Sequence, residues 1–276
     1  MSNGRYDLAA LDMDGTLLNA NNEISSYTME ILRRADEAGK VIALCTGRGL
    51  SELRCFLDMA PAIRYAINES GGCLYDVRKR RVLRQSSIDR EAVERLFDLA
   101  EGYDVLYQCF FGGQSHMQPE AVDELDHWHV ARFRKNYTMG SMFVADVRRL
   151  WRGSGLPMEK FNLYFVSVDD RERFRREMGD MGLFVADGMG IGLEISPRDA
   201  SKSDGLRALC DLLGIPIERT MAVGDGGNDV DLMRAAGFSV AMGNAVDEVR
   251  HIADAVTDDC DHDGAAKAVL RYMLGG

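Results

Sequence analysis

No stretch of this chain is apolar for long enough to span a bilayer, and the opening Met1-Ser2-Asn3-Gly4-Arg5-Tyr6-Asp7 lacks the apolar core of a secretory signal. Both absences point to a cytoplasmic protein without a membrane partner. Positive charge is scarce as well: 33 lysines and arginines stand against 44 aspartates and glutamates, a formal net charge of −11. Nucleic-acid affinity rests on clustered cations that neutralise phosphates, so this balance argues against a nucleic-acid binder while leaving room for a small anion held through a metal. The six cysteines, Cys45, Cys55, Cys73, Cys109, Cys210 and Cys260, form no Cys-x-x-Cys pair, which favours reduced thiols over disulfides. There is no internal repeat and no low-complexity tract. At 276 residues the chain approaches the size at which a single core stops growing, and two domains are expected.

What is present is organised around Leu8-Ala9-Ala10-Leu11, an apolar run that delivers Asp12 and Asp14 into the turn Gly15-Thr16. Taken alone this is compatible with a solvated Asp-x-Asp-Gly turn, since Asp and Gly are the usual turn residues. A second reading is that two carboxylates at a buried strand end imply a compensating cation or a reaction that uses them, because an isolated ionised carboxylate out of water is very costly. Two later runs follow the same grammar. Val41-Ile42-Ala43-Leu44-Cys45 ends in Thr46-Gly47-Arg48, and Met221-Ala222-Val223 ends in Gly224-Asp225-Gly226-Gly227-Asn228-Asp229, with Lys202 after a Ser-Pro turn between them. In open α/β sheets, ligands bind outside the carboxyl ends of parallel strands, so these ends are expected to converge on one crevice.

In this order the motifs resemble the haloacid dehalogenase-like superfamily of phosphatases, and the long segment between Thr46 and Lys202 resembles its Cof-type branch. The resemblance implies a doubly wound, Rossmann-like parallel sheet with an inserted α+β cap domain that selects substrate. It implies that Asp12 is the nucleophile, attacking phosphorus to give an aspartyl-phosphate, and that Asp14 protonates the leaving alkoxide and then takes the proton from water. Asp14 favours a hydrolase, as the resembling ATPases carry Thr there. The carboxylates of Asp12 and Asp225, with the main-chain carbonyl of Asp14, are the hard oxygen ligands that Mg²⁺ takes, and Asp229 supports them from behind. Thr46, Gly47, Lys202 and Asn228 are expected to meet the phosphate. Lys202 departs from the family pattern, being followed by Ser203-Asp204-Gly205 rather than directly by glycine, and Asn68-Glu69-Ser70-Gly71-Gly72 matches the family's Asn-Gly turn only loosely.

Periodicity places the remaining elements. A helix opens at Ile24-Ser25-Ser26 with Tyr27, Ile31, Leu32, Ala35 and Ala38 on its apolar face; another runs from Leu50 to Met59, and a strand covers Tyr65 to Asn68. The stretches Gly71–Asp76 and Arg81–Arg84 read as a hairpin. From residue 82 to 190 the pattern changes to mixed helices and strands, with helices at Asp89–Ala100 and Asp169–Met181 and strands at Val105–Phe111 and Phe161–Val168, while the middle, Gln114 to Pro157, resists assignment. The expected division is therefore a catalytic core of residues 1–81 and 191–276 and a cap of 82–190, with Gly192-Leu193-Glu194-Ile195 returning the chain to the core. After it come Ser201–Leu213, Thr220–Val223, Asp229–Ala236, Phe238–Ala241, Val246–Ala253, Ala255–Val256 and a closing helix, Ala265–Leu274.

Three further signals carry less. Asp259-Cys260-Asp261-His262-Asp263-Gly264 opens like a calcium loop, but Leu270 stands where its bidentate Glu belongs, so a polar turn is expected. His127-Trp128-His129 with Asp123 and Asp126 lacks zinc spacing. His116, Arg132, Arg134 and Lys135 are candidates for meeting an anionic part of the substrate. The expectation is a Mg²⁺-dependent phosphatase of small phosphorylated metabolites, sugar phosphates or phosphorylated cofactors, as a monomer or small homo-oligomer. A phosphomutase or phosphotransferase using the same phosphoaspartate, and a non-catalytic protein that binds a phosphorylated ligand, are the alternatives.

Overall fold

The computed structural model describes residues 5–131 and 134–275. The chain divides into two compact units, one of Met1–Gly47, Phe56–Arg84 and Ser201–Gly276, the other of Arg48–Cys55 and Gln85–Ala200. The first part of the chain runs β1 (Leu8–Leu11), α1 (Ser26–Glu37), β2 (Val41–Cys45), α2 (Leu50–Met59), β3 (Ile63–Asn68), β4 (Cys73–Asp76) and β5 (Arg81–Gln85). The inserted part runs α3 (Arg90–Ala100), β6 (Val105–Phe111), β7 (Gln114–Met117), α4 (Arg134–Gly140), β8 (Ser141–Phe143), α5 (Val147–Ser154), β9 (Lys160–Phe165), α6 (Val168–Met178), β10 (Leu183–Gly188) and β11 (Gly192–Pro197). The chain closes with α7 (Lys202–Leu213), β12 (Thr220–Gly224), α8 (Val230–Ala235), β13 (Phe238–Ala241), α9 (Asp247–Ile252), β14 (Ala255–Val256) and α10 (Gly264–Ala268), which continues as a π-helical turn over Val269–Met273.

The first unit is built on an eight-stranded sheet in the order β14-β13-β12-β1-β2-β3-β4-β5. Its central strands pair in parallel. β1, β2 and β12 are buried along their whole length, as expected of near-continuous apolar runs in a parallel sheet covered on both faces. β4 turns back antiparallel on β3, the hairpin expected from sequence. The hydroxyl of Ser25 caps α1, accepting from the Thr28 N–H at 3.0 Å. Tyr27, expected on the buried face of that helix, is exposed, and Thr28 turns inward instead because its hydroxyl donates to Asp263 at 3.0 Å. The Asp259–Gly264 segment is a polar turn whose carboxylates are committed to the chain: Asp259 to the His262 N–H, Asp261 to the Ala20 N–H, Asp263 to Ser25 and Thr28.

The second unit holds a six-stranded sheet in the order β10-β11-β9-β6-β7-β8, antiparallel except where β8 runs alongside β7. One face packs Phe161, Leu163, Phe165, Leu193 and Ile195 against Val93 and Phe97 of α3, Trp151 of α5 and Phe174 of α6. β9 stops earlier than its apolar residues suggest, since Ser167 caps α6 by accepting from the Asp170 N–H at 3.1 Å. β11 does not return to the parallel sheet as the sequence suggested. It lies between β10 and β9, with Glu194 opposite both Ala186 and Asn162. The His127-Trp128-His129 segment forms no common centre: His127 meets Asp104 at 2.7 Å, whereas His129 meets the Val166 carbonyl at 3.0 Å. His116 is buried and stacked on Phe111, ring centroids 3.8 Å apart. Arg134 donates to the Val122 carbonyl; Arg132 and the Lys135 side chain lie outside the described residues. All six cysteines are free, and among the described residues no helix is long and apolar enough to cross a membrane.

Candidate active site

Register brings three strand ends side by side. Leu11 of β1 lies opposite Leu44 of β2 and Val223 of β12. The chain therefore leaves β1 at Asp12, leaves β2 at Thr46 and leaves β12 at Asp225, all at one edge of the sheet. The Asp12 N–H extends the ladder by donating to the Val223 carbonyl at 2.9 Å. Thr46 is buried and held through its main chain, its N–H donating to Ile67 and its carbonyl accepting from Ser70.

Lys202 enters from the first turn of α7, which Ser201 caps by accepting from the Asp204 N–H at 3.1 Å. Its ammonium lies 2.6 Å from Asp12 Oδ1 and 2.6 Å from Asp229 Oδ1, and the side chains of all three are at most 6% exposed. Asp229 is engaged at both oxygens, because the one not facing Lys202 accepts from the N–H groups of Asp225 and Gly226 at 3.0 Å each. It thereby folds the Asp225 loop back over the strand end and orients the lysine at the same time. Asp12, Asp225 and Asp229 each place a carboxylate oxygen within 4.8 Å of the others.

The electrostatics follow from this crowding. Burial, and then the charge of Asp229, push the Asp12 carboxyl well above the usual range, against the opposing pull of Lys202. Burial alone would lower Lys202, but the two aspartates outweigh it and hold the ammonium charged. Asp225 is pushed up to about 6 by burial and by Asp229. Cys45, next to Thr46, has its thiol driven far up by burial and is chemically inert there. Three carboxylates meet one neutralising ammonium in this cluster, and the hard oxygen donors left facing one another fit a divalent cation.

The site residues anticipated from sequence thus fall into groups. Asp12, Lys202, Asp225 and Asp229 meet in one cluster. Thr46 and Gly47 leave the neighbouring strand, Asp14 is half-buried in the turn that follows Asp12, and Asn228 is exposed on the Asp225 loop. Asn68 is fully buried at the end of β3, its amide donating to Glu69 at 3.3 Å. Several contributors escaped the sequence reading. The Thr16 hydroxyl donates to Asp225 Oδ1 at 3.0 Å, and Asn244 reaches both the Gly15 carbonyl and Asp225 Oδ2. Thr16 had a signal in the Asp-x-Asp-Gly-Thr run; Asn244 had none. Gly15 is required on two counts, a φ of +80° and a Cβ that would sit 2.5 Å from Asp225 Oδ2. The turn after β3 has Glu69, Ser70 and Gly71 all at positive φ, and a Cβ on Gly71 would lie 1.8 Å from the Ser201 carbonyl, so this turn backs directly onto the residue before Lys202.

Comparison with known proteins shows the family. The chain is 28% identical to the phosphatase YwpJ of Bacillus subtilis, an alignment covering 97% of this chain and 99% of that one. It is 26% identical to the 5-amino-6-(5-phospho-D-ribitylamino)uracil phosphatase YwtE of the same organism, covering 96% and 98%. Among solved structures, a haloacid dehalogenase-like hydrolase from Bacteroides thetaiotaomicron superposes with a TM-score of 0.84 at 25% identity, covering 96% of this chain and 99% of that one. A family model described as haloacid dehalogenase-like hydrolase matches residues 9–269. With the match spanning nearly every residue and the strand-end carboxylates gathered at one sheet edge, the chain belongs to the haloacid dehalogenase-like hydrolases.

Proposed function

We propose that this protein is a Mg²⁺-dependent phosphatase that hydrolyses small phosphorylated metabolites through an aspartyl-phosphate. The observation that carries the reading is the buried Lys202 ammonium shared between Asp12 and Asp229, with the Asp225 carboxylate gathered beside them. A site that only bound phosphate would not need a desolvated carboxylate at its centre, because that carboxylate repels the ligand. It becomes useful when it attacks.

In this reading Asp12 attacks phosphorus in line with the departing ester oxygen, forming its own acyl phosphate and splitting one hard displacement into two easier ones. Asp14 protonates the leaving alkoxide, then removes the proton from the water that cleaves the aspartyl-phosphate and returns both carboxylates to their starting state. The Lys202 ammonium neutralises Asp12 before attack and phosphoryl oxygens after it. The Thr46 hydroxyl and the Gly47 N–H hold phosphoryl oxygens, and Asn228 reaches the phosphate from the Asp225 loop. Asp12, Asp225 and the Asp14 carbonyl would hold a divalent cation, which would supply the remaining positive charge for the transferring group. The second unit, whose main segment is Gln85–Ala200, acts as the substrate-selecting cap, and the substrates are sugar phosphates or phosphorylated cofactors, a relative named for a phosphorylated ribitylaminouracil favouring a polyol phosphate.

The test is phosphate release over a panel of metabolites, with and without chelator, in the wild-type chain and in Asp12→Asn. Free orthophosphate without transfer to a second hydroxyl, loss of release in chelator, and a fall of at least ~10³-fold in Asp12→Asn with its melting curve preserved are expected. Turnover of any ester by Asp12→Asn refutes the nucleophile.

A further inference from the structure

We propose that Asn244 is a positioning residue for the Asp225 carboxylate and thereby sets the affinity of the acidic cluster for a divalent cation. This rests on the metal-dependent reading above and adds to it a residue that no motif marks.

Asn244 sits in a turn, residues 242–246, that is docked on the motif around Asp225 by main-chain bonds at both ends. The Met242 N–H donates to the Gly224 carbonyl and the Val246 N–H to the Asp225 carbonyl, each at 3.0 Å. The side chain then closes a bridge between the first and last carboxylate loops. Its Oδ1 accepts from the Cys260 N–H at 3.0 Å, and its Nδ2 donates to the Gly15 carbonyl at 2.8 Å while reaching Asp225 Oδ2 at 3.4 Å. The orientation of the amide is decided by chemistry. A main-chain N–H only donates and a carbonyl only accepts, so the oxygen must face Cys260 and the nitrogen must face Gly15 and Asp225.

Asp225 is accordingly held at both oxygens. Its Oδ1 takes the Thr16 hydroxyl, its Oδ2 lies beside the Asn244 amide, and the carboxylate fills the space that a Cβ on Gly15 would occupy. A carboxylate so held presents its remaining lone pairs in one direction, and outer groups of this kind usually contribute about 10- to 100-fold to metal affinity. Asn244 is itself exposed, so water can replace its bonds when it is removed, and the fold does not depend on it.

Binding of Mn²⁺ to the full-length chain, read from the electron paramagnetic resonance signal of the free ion, tests this without turnover. In Asn244→Ala the dissociation constant is expected to rise about tenfold, the metal-free melting temperature to stay that of wild type, and phosphate release to be low at limiting Mg²⁺ but recovered at high Mg²⁺. Should Asn244→Ala not fold, Asn244→Ser, which keeps a short polar side chain unable to span Cys260 and Gly15, carries the same expectation. A wild-type dissociation constant in the folded variant overturns the assignment, as does a lowered melting temperature with unchanged Mn²⁺ affinity. If the wild-type chain itself binds no Mn²⁺, the metal reading fails and this proposal fails with it; if wild type binds and only the variant result is contrary, this proposal alone falls.

Discussion

Replacing Lys202 by Met isolates what the buried ammonium does. Met keeps most of the volume of the lysine stem, so little cavity is created, and the change is chiefly the loss of one positive charge between Asp12 and Asp229. Both carboxylates are almost wholly removed from water. Breaking a buried pair by deleting one partner costs about 3–5 kcal/mol, because the remaining charge is left uncompensated. At about 2–4 °C per kcal/mol for a chain of this size, the metal-free protein should melt roughly 10 °C lower at pH 8. The pH dependence has a definite sign. The Asp12 carboxyl is already raised by burial and by Asp229, and without Lys202 it rises further. A carboxyl whose folded pKa lies above its unfolded value costs stability when ionised, and the cost is relieved as the pH falls through the folded pKa. The gap between Lys202→Met and wild type should therefore narrow between pH 8 and pH 5. Lys202→Met combined with Asp229→Asn, which removes one charge of each sign, should recover part of the loss. Circular-dichroism melts of the three chains at both pH values measure this. A Lys202→Met protein that melts with wild type at pH 8, or a gap that widens on acidification, refutes the electrostatic account of the cluster.

Two further outcomes follow from local geometry. Gly71→Ala puts a Cβ 1.8 Å from the Ser201 carbonyl at a φ of +100°, a backbone clash that no side-chain rotation relieves; urea unfolding should show a loss of at least ~2 kcal/mol, with KM for a phosphate ester raised as the α7 terminus carrying Lys202 is displaced. Burial lowers the pKa of His116 below its ordinary 6.5, so the stability it contributes is present above pH 6.5 and is lost as the pH falls from there through the folded value; His116→Phe, which retains a ring against Phe111, should flatten that acid limb of the stability profile, and an unchanged limb would exclude His116 as its source.

The parts of this fold that were legible in the sequence share one property. A parallel strand buried on both faces needs a run of apolar residues, and where it emerges the chain becomes polar at once, so Leu11-Asp12, Cys45-Thr46 and Gly224-Asp225 announce their own strand ends. β7 shows why the middle of the insertion was not legible. Gln114-Ser115-His116-Met117 carries no apolar alternation, yet Ser115, His116 and Met117 are buried, through the Gln108–Ser115 bond at 2.8 Å and the stack of His116 on Phe111. Those partners are fixed only once β6 pairs with β7. The misplacement of β11 has a similar origin: Gly192-Leu193-Glu194-Ile195 alternates in the same way whichever sheet receives it, and the choice is made by pairing with β9 some thirty residues earlier. Asn244 was invisible because its orientation depends on the N–H of Cys260, sixteen positions away.

The acidic cluster and the turn behind it also hold unfavourable local geometry and charge. Glu69 and Ser70 adopt φ values of +54° and +57°, which L-residues rarely take, in the turn that backs onto Ser201. Asp12 and Asp225 both carry carboxyls that burial and mutual repulsion make reluctant to ionise. Elsewhere in the first unit polar groups are arranged without such conflict, as where Lys40 lies 3.1 Å from Asp7 with Arg219 on the other carboxylate oxygen, or where Ser239 and Asp254 exchange hydrogen bonds. Strain and like charge that persist together at one sheet edge are what a structure selected only for stability would lose. They are accounted for if the free protein is the less favourable of two states. A cation and a phosphoryl group entering the cluster would satisfy the ionised carboxylates and the ammonium together, so binding should raise the stability of the elements that carry the cluster.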